Sequence, residues 1–212
     1  MRRLTDIATA LFFIAAAFLI AQPSSLIRAS WARYSNNRRV VQLATQHWSE
    51  IDHIGSRLFN SREKVELVVV SDYECPFCRA SQAAIDSAVR RGVRISLLHY
   101  PGPTHPSADG AARAALCAES VRQLPRLHAH FMQTNAWQKS QDWLREATSA
   151  GVTDLDNFGA CVTGAEVRKR LSSQTALADS LMVRGTPTFV SPRGVHGGVA
   201  SLAEILDLVG RH

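Results

Sequence analysis

The sequence predicts an α/β domain built on a strand–helix–strand unit, with a long helical insertion before its last strands. Residues 65–70 are rich in valine and apolar except for Glu66, which is typical of a buried strand. Residues 79–90 have apolar positions at helical spacing, and residues 93–98 again have the character of a strand. The motif Cys75-Pro76-Phe77-Cys78 lies where the first strand passes into the helix. This order predicts a βαβ unit with two cysteines at its first turn.

The long stretch that follows, residues 104–184, is predicted to be helical throughout. Residues 111–118 are rich in alanine, and helical spacing continues up to Gly185, a typical helix stop. Strand character returns within residues 188–199, which are predicted to form a hairpin around a central proline. A capping-box pattern at Ser201 then opens a final helix. The insertion therefore separates the βαβ unit from the last strands of the same domain.

The composition is that of an ordinary globular protein. Of the 212 residues, 46% are apolar and 20% are charged, which argues against a disordered chain. The formal net charge is +6, but the basic residues from Arg57 to Arg211 are scattered and do not alternate with aromatic residues. This pattern indicates a solvated surface and argues against a nucleic-acid-binding protein.

The N-terminus has the features of an export signal. Arg2 and Arg3 precede an apolar stretch, residues 7–21, which is the order of a secretory signal. A buried core helix is disfavoured because no polar positions mark an outward face. Residues 4–21 are also long enough to cross a slightly thinned bilayer.

Three segments are predicted from this pattern. Residues 1–22 are expected to be a signal peptide or, with a slight preference, an uncleaved N-terminal membrane anchor. Residues 23–39 are polar and are predicted as a linker, so that the folded domain covers residues 40–212. Either form of the N-terminus places the domain in a periplasmic or other extracytoplasmic space, where disulfides form and persist, and the anchor would attach it to the inner membrane.

The two cysteines of the motif have the spacing of a redox-active pair. Pro76 suits the first turn of a helix, because its missing N–H would have no partner there. The free N–H groups and the dipole at that end favour a thiolate on Cys75, which we expect to be the nucleophile. Cys78, one turn into the helix, is expected to be the resolving thiol.

Half of a zinc site is the alternative to a redox pair. Structural zinc usually has four ligands from two spaced pairs, whereas Cys117 and Cys161 are isolated and 44 residues apart. His128 and His130 are close in sequence, but residues two apart on a helix do not face each other. The βαβ context therefore favours the redox pair, and neither a metal nor an organic cofactor is implied.

Cys117 and Cys161 are expected to form a structural disulfide that clips the insertion. Both lie in alanine-rich helical segments, and the predicted compartment is oxidising. The alternative is a pair of buried thiols that behave as small apolar residues.

A second signal is the segment Gly185-Thr186-Pro187-Thr188-Phe189, in which a proline directly precedes a predicted strand. Proline at such a position is confined to an edge strand or to a special turn. One interpretation is a helix stop followed by a strand. The other is a cis peptide bond at Pro187, which is uncommon and usually serves a purpose.

Together these segments resemble the DsbA-like branch of the thioredoxin superfamily. Residues 71–78, Ser-Asp-Tyr-Glu-Cys-Pro-Phe-Cys, are similar to the active-site segment of that group, and Thr186-Pro187 is similar to its cis-proline loop. His105-Pro106, the alanine-rich helix and residues 127–131 resemble its helical insertion. The resemblance runs from about residue 65 to the end of the chain. It implies a thioredoxin fold with an α-helical insertion, catalytic Cys75 and Cys78, and a substrate groove beside Pro76, Phe77, Thr186 and Pro187.

One position departs from the pattern of this group. Many relatives place a buried acidic residue six positions before the first active-site cysteine, where it can help to move a proton. This chain has Val69 there, and Glu66 falls on the opposite face of an alternating strand. The departure bears on the rate and the redox poise and leaves the reaction class unchanged.

The resemblance implies a thiol–disulfide oxidoreductase that introduces or exchanges disulfides in exported proteins. A membrane redox partner would recycle the enzyme. Reduction or isomerisation by the same two cysteines is the alternative within enzymes, since a glutathione-dependent relative would generally lack Cys78. A zinc-stabilised or chaperone-like binding module without turnover is the alternative from another class.

Overall fold

The computed structural model describes residues 25–58 and 63–211. The predicted signal peptide or anchor, residues 1–22, lies outside the described residues. The chain divides into two compact units, residues 1–38 and residues 39–212, and the sheet and the cysteine motif belong to the second. In the described part of the chain, no helix is both long enough and apolar enough to cross a membrane.

Helices dominate the described residues and surround one sheet. In chain order the helices are α1 (Ser25–Gln46), α2 (Trp48–Ile54), α3 (Pro76–Arg90), α4 (Ala108–Ser120), α5 (Leu124–Gln133), α6 (Trp137–Ser140), α7 (Trp143–Ser149), α8 (Leu155–Thr163), α9 (Ala165–Ser180) and α10 (Leu202–Val209). The strands are β1 (Ser56–Arg57), β2 (Leu67–Ser71), β3 (Ile95–His99), β4 (Thr188–Val190) and β5 (Val195–Gly197).

The polar segment that was predicted as a linker is helical. Helix α1 begins at Ser25 and continues to Gln46, so it covers most of residues 23–39 and the start of the predicted domain. No proline or glycine interrupts the sequence from Ser25 to the end of α2, and its alanine, leucine and arginine residues favour a helix. The polar composition therefore belongs to a helix rather than to an irregular connection.

The five strands form one mixed sheet in the order β1-β3-β2-β4-β5. Strand β2 is parallel to β3, with Ser71 opposite His99. It is antiparallel to β4, with Val69 opposite Phe189. The βαβ unit formed by β2, α3 and β3 is thus present as predicted. The carboxyl ends of β2 and β3 meet at one edge of the sheet, where the cysteine motif follows β2.

Alternate residues of β2 face two separate cores. One core lies between the sheet, α3, α10 and the insertion, and the other lies between the sheet, α1, α2 and α9. Every residue of β2 is buried, which explains the continuous apolar run in the sequence. Leu67, Val69, Ile95, Leu97 and Phe189 belong to the first core, and Val68, Val70, Leu98 and Val190 belong to the second.

The helical insertion lies between β3 and β4 and consists of α4 to α9. Cys117 on α4 and Cys161 on α8 are joined by a disulfide, and their Cα atoms are 5.6 Å apart. Cys117 is fully buried among alanines of α4. The bond therefore ties two helices of the insertion to each other.

The end of the domain follows the predicted order of hairpin and helix. Strands β4 and β5 form the hairpin, with bounds slightly shorter than predicted. The side chain of Ser201 accepts from the backbone N–H of Glu204, and the Glu204 side chain accepts from the Ser201 backbone, so the capping box is complete. Strand β1 was not predicted, because two residues give no period-2 pattern.

Candidate active site

Cys75 and Cys78 lie at the start of α3, directly after β2. Cys75 occupies the N-cap position and Pro76 the first turn. Both cysteines are free thiols. The exposed fraction is 4% for Cys75 and 1% for Cys78, whereas the intervening Phe77 is 60% exposed. Cys75 is therefore the slightly more exposed of the two buried cysteines, and Phe77 provides an apolar surface beside them.

The loop before β4 lies against Cys75. The Thr186–Pro187 peptide bond is cis. The Cys75 thiol donates a hydrogen bond to the carbonyl oxygen of Thr186, with 3.4 Å between sulfur and oxygen. The Pro187 carbonyl in turn accepts from the Gly198 N–H at 2.9 Å. The fold thus brings together two segments that are more than a hundred residues apart in the sequence.

Cys78 is buried and surrounded by hydrogen-bond donors. Burial raises the pKa of the Cys78 thiol to about 12, and the neighbouring Cys75 adds to this rise. The Asp72 N–H, which is 3.5 Å from the Cys78 sulfur, and the Ser71 and Thr186 side chains act against it by hydrogen bonding. These donors can stabilise a transient thiolate on Cys78.

The position where many relatives have a buried acid is occupied by a valine. Val69 is fully buried in the core beneath α3. Glu66 lies just before β2 and forms ion pairs with Arg94 and Arg211. Although burial raises the pKa of Glu66, hydrogen bonds and charges of these two arginines outweigh it, so that the pKa is lowered overall. Glu66 therefore forms its ion pairs at the start of β2, at the opposite end of this strand from the cysteine motif.

Arg79, the residue after Cys78, points neither at Cys75 nor into solvent. Its guanidinium donates to the carbonyl of Tyr73 at 3.2 Å and to those of Met132 and Phe131 at 3.1 and 2.8 Å. It also donates to the carbonyl of Thr134. The carbonyls of Phe131, Met132 and Thr134 are at the C-terminal end of α5 and lack partners within their own helix. Arg79 therefore links the turn that carries Cys75 and Cys78 to the insertion.

Two carboxylates just before Cys75 hold the loop that follows β3. The Asp72 carboxylate accepts from the Gly102 N–H at 2.6 Å and from Nδ1 of His105 at 2.7 Å. The Glu74 carboxylate accepts from the Ser107 N–H at 2.7 Å. Residues 102–107 are thus attached to the turn on both sides of Tyr73.

A buried hydrogen-bond chain lies beneath the turn. The Tyr73 hydroxyl is 3.1 Å from Nδ1 of His128, and Nε2 of His128 is 3.0 Å from the side-chain oxygen of Gln82. Since the Gln82 amide donates to Asp86 at 2.7 Å, its oxygen faces His128 and accepts from Nε2–H. Nδ1 of His128 is then the acceptor for Tyr73. Burial lowers the pKa of His128 to about 4, which keeps the ring neutral.

A second buried histidine, His99, lies at the end of β3 with its ring 5.5 Å from that of Tyr73. Burial lowers the pKa of His99 to about 3, with smaller contributions from His128 and Arg170. Its Nε2 has no hydrogen-bond partner in the described part of the chain. The site therefore contains two neutral imidazoles under the cysteine turn.

Residues 66–208, more than half of the chain, match the profile of the DSBA-like thioredoxin domain. The chain belongs to this family. Its members are thiol–disulfide oxidoreductases, so the predicted reaction class and the thioredoxin fold with a helical insertion are confirmed.

Solved structures agree with this DSBA-like assignment. A thioredoxin-like oxidoreductase from Silicibacter pomeroyi is 28% identical, with a TM-score of 0.66 over 75% of this chain and 92% of that chain. The thiol-disulfide exchange protein α-DsbA2 from Wolbachia pipientis is 18% identical, with a TM-score of 0.71 over 81% and 94%. This second likeness shows the fold alone.

A curated relative of the DSBA-like domain has a different name. The Na⁺/H⁺ antiporter NhaA 3 of Salinispora tropica is 31% identical over 137 residues, which cover 63% of this chain. The chain spans only 21% of the length of that antiporter. The match therefore concerns one part of a much longer protein.

The structure places the predicted site residues of the DSBA-like domain in two groups. Cys75, Cys78 and the Thr186–Pro187 loop lie together at the start of α3, while the disulfide between Cys117 and Cys161 lies in the insertion. Of the two neighbouring histidines on α5, His128 is in the buried hydrogen-bond chain and His130 binds Glu146 on α7.

The sequence did not predict the contacts that several residues make with the turn. They are Asp72, Arg79, Gln82, His99, His105 and His128. Their partners lie 30 or more residues away in most cases, so a local pattern gives no signal for these contacts. Asp72 and His105 were noted only as parts of segments that resemble the family, and His128 as part of such a segment and as a possible zinc ligand.

Proposed function

We propose that the protein introduces or exchanges disulfides in exported proteins through Cys75 and Cys78. The observation that carries this proposal is the contact between the Cys75 thiol and the carbonyl of Thr186 in a cis Thr186–Pro187 loop. A peptide that pairs with this loop as an added strand would bring its own cysteine next to Cys75. The exposed Phe77 would lie under the side chains of that peptide.

The reaction follows from the order of the two sulfurs. In the oxidising direction a substrate thiolate attacks Cys75 of the Cys75–Cys78 disulfide, and Cys78 leaves as a thiolate that takes up a proton. The second thiolate of the substrate then attacks the substrate sulfur of the mixed disulfide, and Cys75 leaves as a thiolate. The substrate is thereby oxidised and the enzyme reduced. The buried position of Cys78 suits this role, because it shields the leaving sulfur from other attackers.

We propose oxidation as the main direction. The N-terminus of α3 favours a thiolate on Cys75, which stabilises the reduced enzyme and makes the disulfide a stronger oxidant. Two features limit that strength. Phe77 offers neither a charge nor a hydrogen bond to the thiolate, and Val69 supplies no buried carboxylate. We therefore expect an oxidant of moderate strength.

The substrates are proposed to be cysteine-containing proteins outside the cytoplasm, with a membrane redox partner that reoxidises the enzyme. Support comes from the order of Arg2, Arg3 and the apolar residues 7–21. A thioredoxin-like protein of Salmonella enterica described as periplasmic has the same fold, with a TM-score of 0.62.

Two measurements test the proposal. The first is the equilibrium of the Cys75–Cys78 pair with glutathione buffers, which gives its reduction potential. We expect a value well above that of thioredoxin, about −270 mV. A potential as low as that of thioredoxin would assign the protein to the reductases instead.

The second measurement is oxidative refolding of a reduced, unfolded protein with two cysteines. The wild type should accelerate disulfide formation, whereas Cys75→Ser should be inactive and Cys78→Ser should accumulate a mixed disulfide with the substrate. Refolding assistance that survives in Cys75→Ser would indicate a chaperone-like module. Zinc in the purified protein at one ion per chain would indicate a zinc-stabilised one.

A further inference from the structure

We propose that Asp72, held by His105, is the positioning residue of the resolving cysteine Cys78. This inference rests on the proposed function of the Cys75–Cys78 pair and deepens it. According to this inference, the segment before the cysteine motif and the loop after β3 both assist the step in which the Cys75–Cys78 disulfide forms.

Asp72 contacts both active-site cysteines through its backbone. Its N–H points at the Cys78 sulfur, with 3.5 Å between nitrogen and sulfur. Its carbonyl accepts from the Cys75 N–H at 3.3 Å. The orientation of this single peptide segment therefore decides whether an N–H donor faces the resolving sulfur.

The Asp72 side chain fixes that orientation. It is fully buried, with an exposed fraction of 0%. One carboxylate oxygen accepts from the Glu74 N–H at 2.8 Å, and the other accepts from the Gly102 N–H at 2.6 Å and from His105 Nδ1 at 2.7 Å. A buried carboxylate needs such donors, and three of them leave it little freedom to rotate.

His105 connects this buried carboxylate to the surface, because 28% of its side chain is exposed. The approach of its loop is unusually close at Gly102. A Cβ atom on Gly102 would lie 2.9 Å from His105 Nδ1 and 3.2 Å from the Asp72 carboxylate. Only glycine allows this loop to deliver both its N–H and the imidazole to Asp72.

The step that gains from this arrangement is the attack by Cys78. When Cys75 has formed a mixed disulfide, the Cys78 thiol must release its proton to solvent. The Cys78 thiolate then attacks the Cys75 sulfur, the Cys75–Cys78 bond forms, and the departing thiolate takes up a proton. Burial opposes the Cys78 thiolate, and Val69 provides no carboxylate to accept the proton. An N–H directed at the sulfur lowers the cost of the thiolate.

The test uses oxidised glutathione as the probe. It reacts with the reduced protein to give a Cys75–glutathione mixed disulfide, which Cys78 resolves with release of a second glutathione. Acid quenching and mass spectrometry follow the mixed disulfide over time. The first step is measured separately in Cys78→Ser, in which resolution is blocked.

Four variants distinguish positioning from a purely structural role. Asp72→Asn replaces one acceptor oxygen by an amide nitrogen, which faces at least one donor in either orientation, and His105→Leu removes one donor. Both should slow resolution about tenfold, the effect expected from one lost hydrogen bond to a charged sulfur, and leave the first step within about twofold. His105→Gln keeps an N–H donor and should resolve at the wild-type rate. Glu146→Gln, which disrupts a carboxylate–histidine pair of the same 2.7 Å length in the insertion, should leave both steps unchanged.

The outcomes separate the inference from the proposed function. Wild-type resolution rates in both Asp72→Asn and His105→Leu would overturn the inference, as would equal losses in His105→Gln and His105→Leu. If Asp72→Asn does not fold, the comparison of the two His105 variants decides. A wild-type protein that forms no Cys75–Cys78 disulfide with oxidised glutathione would instead overturn the proposed function.

Discussion

Acidification should destabilise this protein through its two buried histidines, at a pH where most carboxylates are still ionised. The pKa of His128 is about 4 and that of His99 is about 3 in the folded state, against 6.5 for an ordinary histidine. Since the unfolded chain binds these protons more readily, the contribution of both rings to stability is fully present above pH 6.5 and is lost as the pH falls toward the folded values.

The size of this effect follows from the pKa shifts. Below pH 6.5, protonation of each histidine in the unfolded chain lowers the free energy of unfolding by about 1.4 kcal/mol per pH unit. By pH 5 the loss is about 2 kcal/mol for each ring. Both rings together then remove about 4 kcal/mol, a large share of the roughly 5–15 kcal/mol that stabilises a typical domain.

The assay is urea unfolding at pH 7, 6 and 5, with the free energy of unfolding plotted against pH. His128→Gln carries no titrating proton, so it should lower the free energy at pH 7 but flatten the plot by about 2 kcal/mol between pH 7 and pH 5. His53→Gln, a variant of an exposed histidine on α2, should leave the slope at its wild-type value. A slope of His128→Gln equal to that of the wild type would refute the reasoning.

Four further predictions follow from other parts of the structure. Replacing both Cys117 and Cys161 by alanine should lower the free energy of unfolding by roughly 3–4 kcal/mol and leave activity intact at low temperature, which denaturation and a refolding assay would show. Arg79→Ala removes a donor from the carbonyls of Tyr73, Phe131, Met132 and Thr134, of which Phe131 and Thr134 keep Trp137 Nε1, and should cost roughly 2–4 kcal/mol in urea unfolding, with partial recovery in Arg79→Lys. Phe77→Ser should raise the KM for peptide substrates and change stability by less than about 0.5 kcal/mol, because the residue is largely exposed; an unchanged KM would remove Phe77 from the groove. Cell fractionation should find the protein outside the cytoplasm and attached to a membrane, and a soluble form with a new N-terminus after residue 21 would refute the anchor but not export.

Local patterns predicted the parts of the fold that depend on local physics. The valine-rich strand β2 is buried on both faces, and a fully buried strand needs a continuous apolar run. The cysteine motif begins α3 because proline fits a first turn. The capping box at Ser201 is complete because its two partners are only three residues apart.

Contacts between distant segments could not be predicted from the sequence, for a physical reason. Asp72 and His105 are 33 residues apart, and Arg79 reaches carbonyls more than 50 residues away. Backbone carbonyls carry no residue identity, so no motif marks the end of α5 as the partner of an arginine. The helical conformation of residues 25–39 was not predicted, because their polar composition was given more weight than their lack of helix-breaking residues.

The bond between Cys117 and Cys161 means that this thiol–disulfide oxidoreductase itself contains a disulfide that must be formed after synthesis. A newly made chain has four thiols, and the insertion is locked only after two of them have been oxidised. Forming this bond in a new chain needs a thiol–disulfide oxidant, and under the oxidising direction proposed above finished copies would act as that oxidant for later ones. The stable protein is then expected only in a compartment that does not keep thiols reduced.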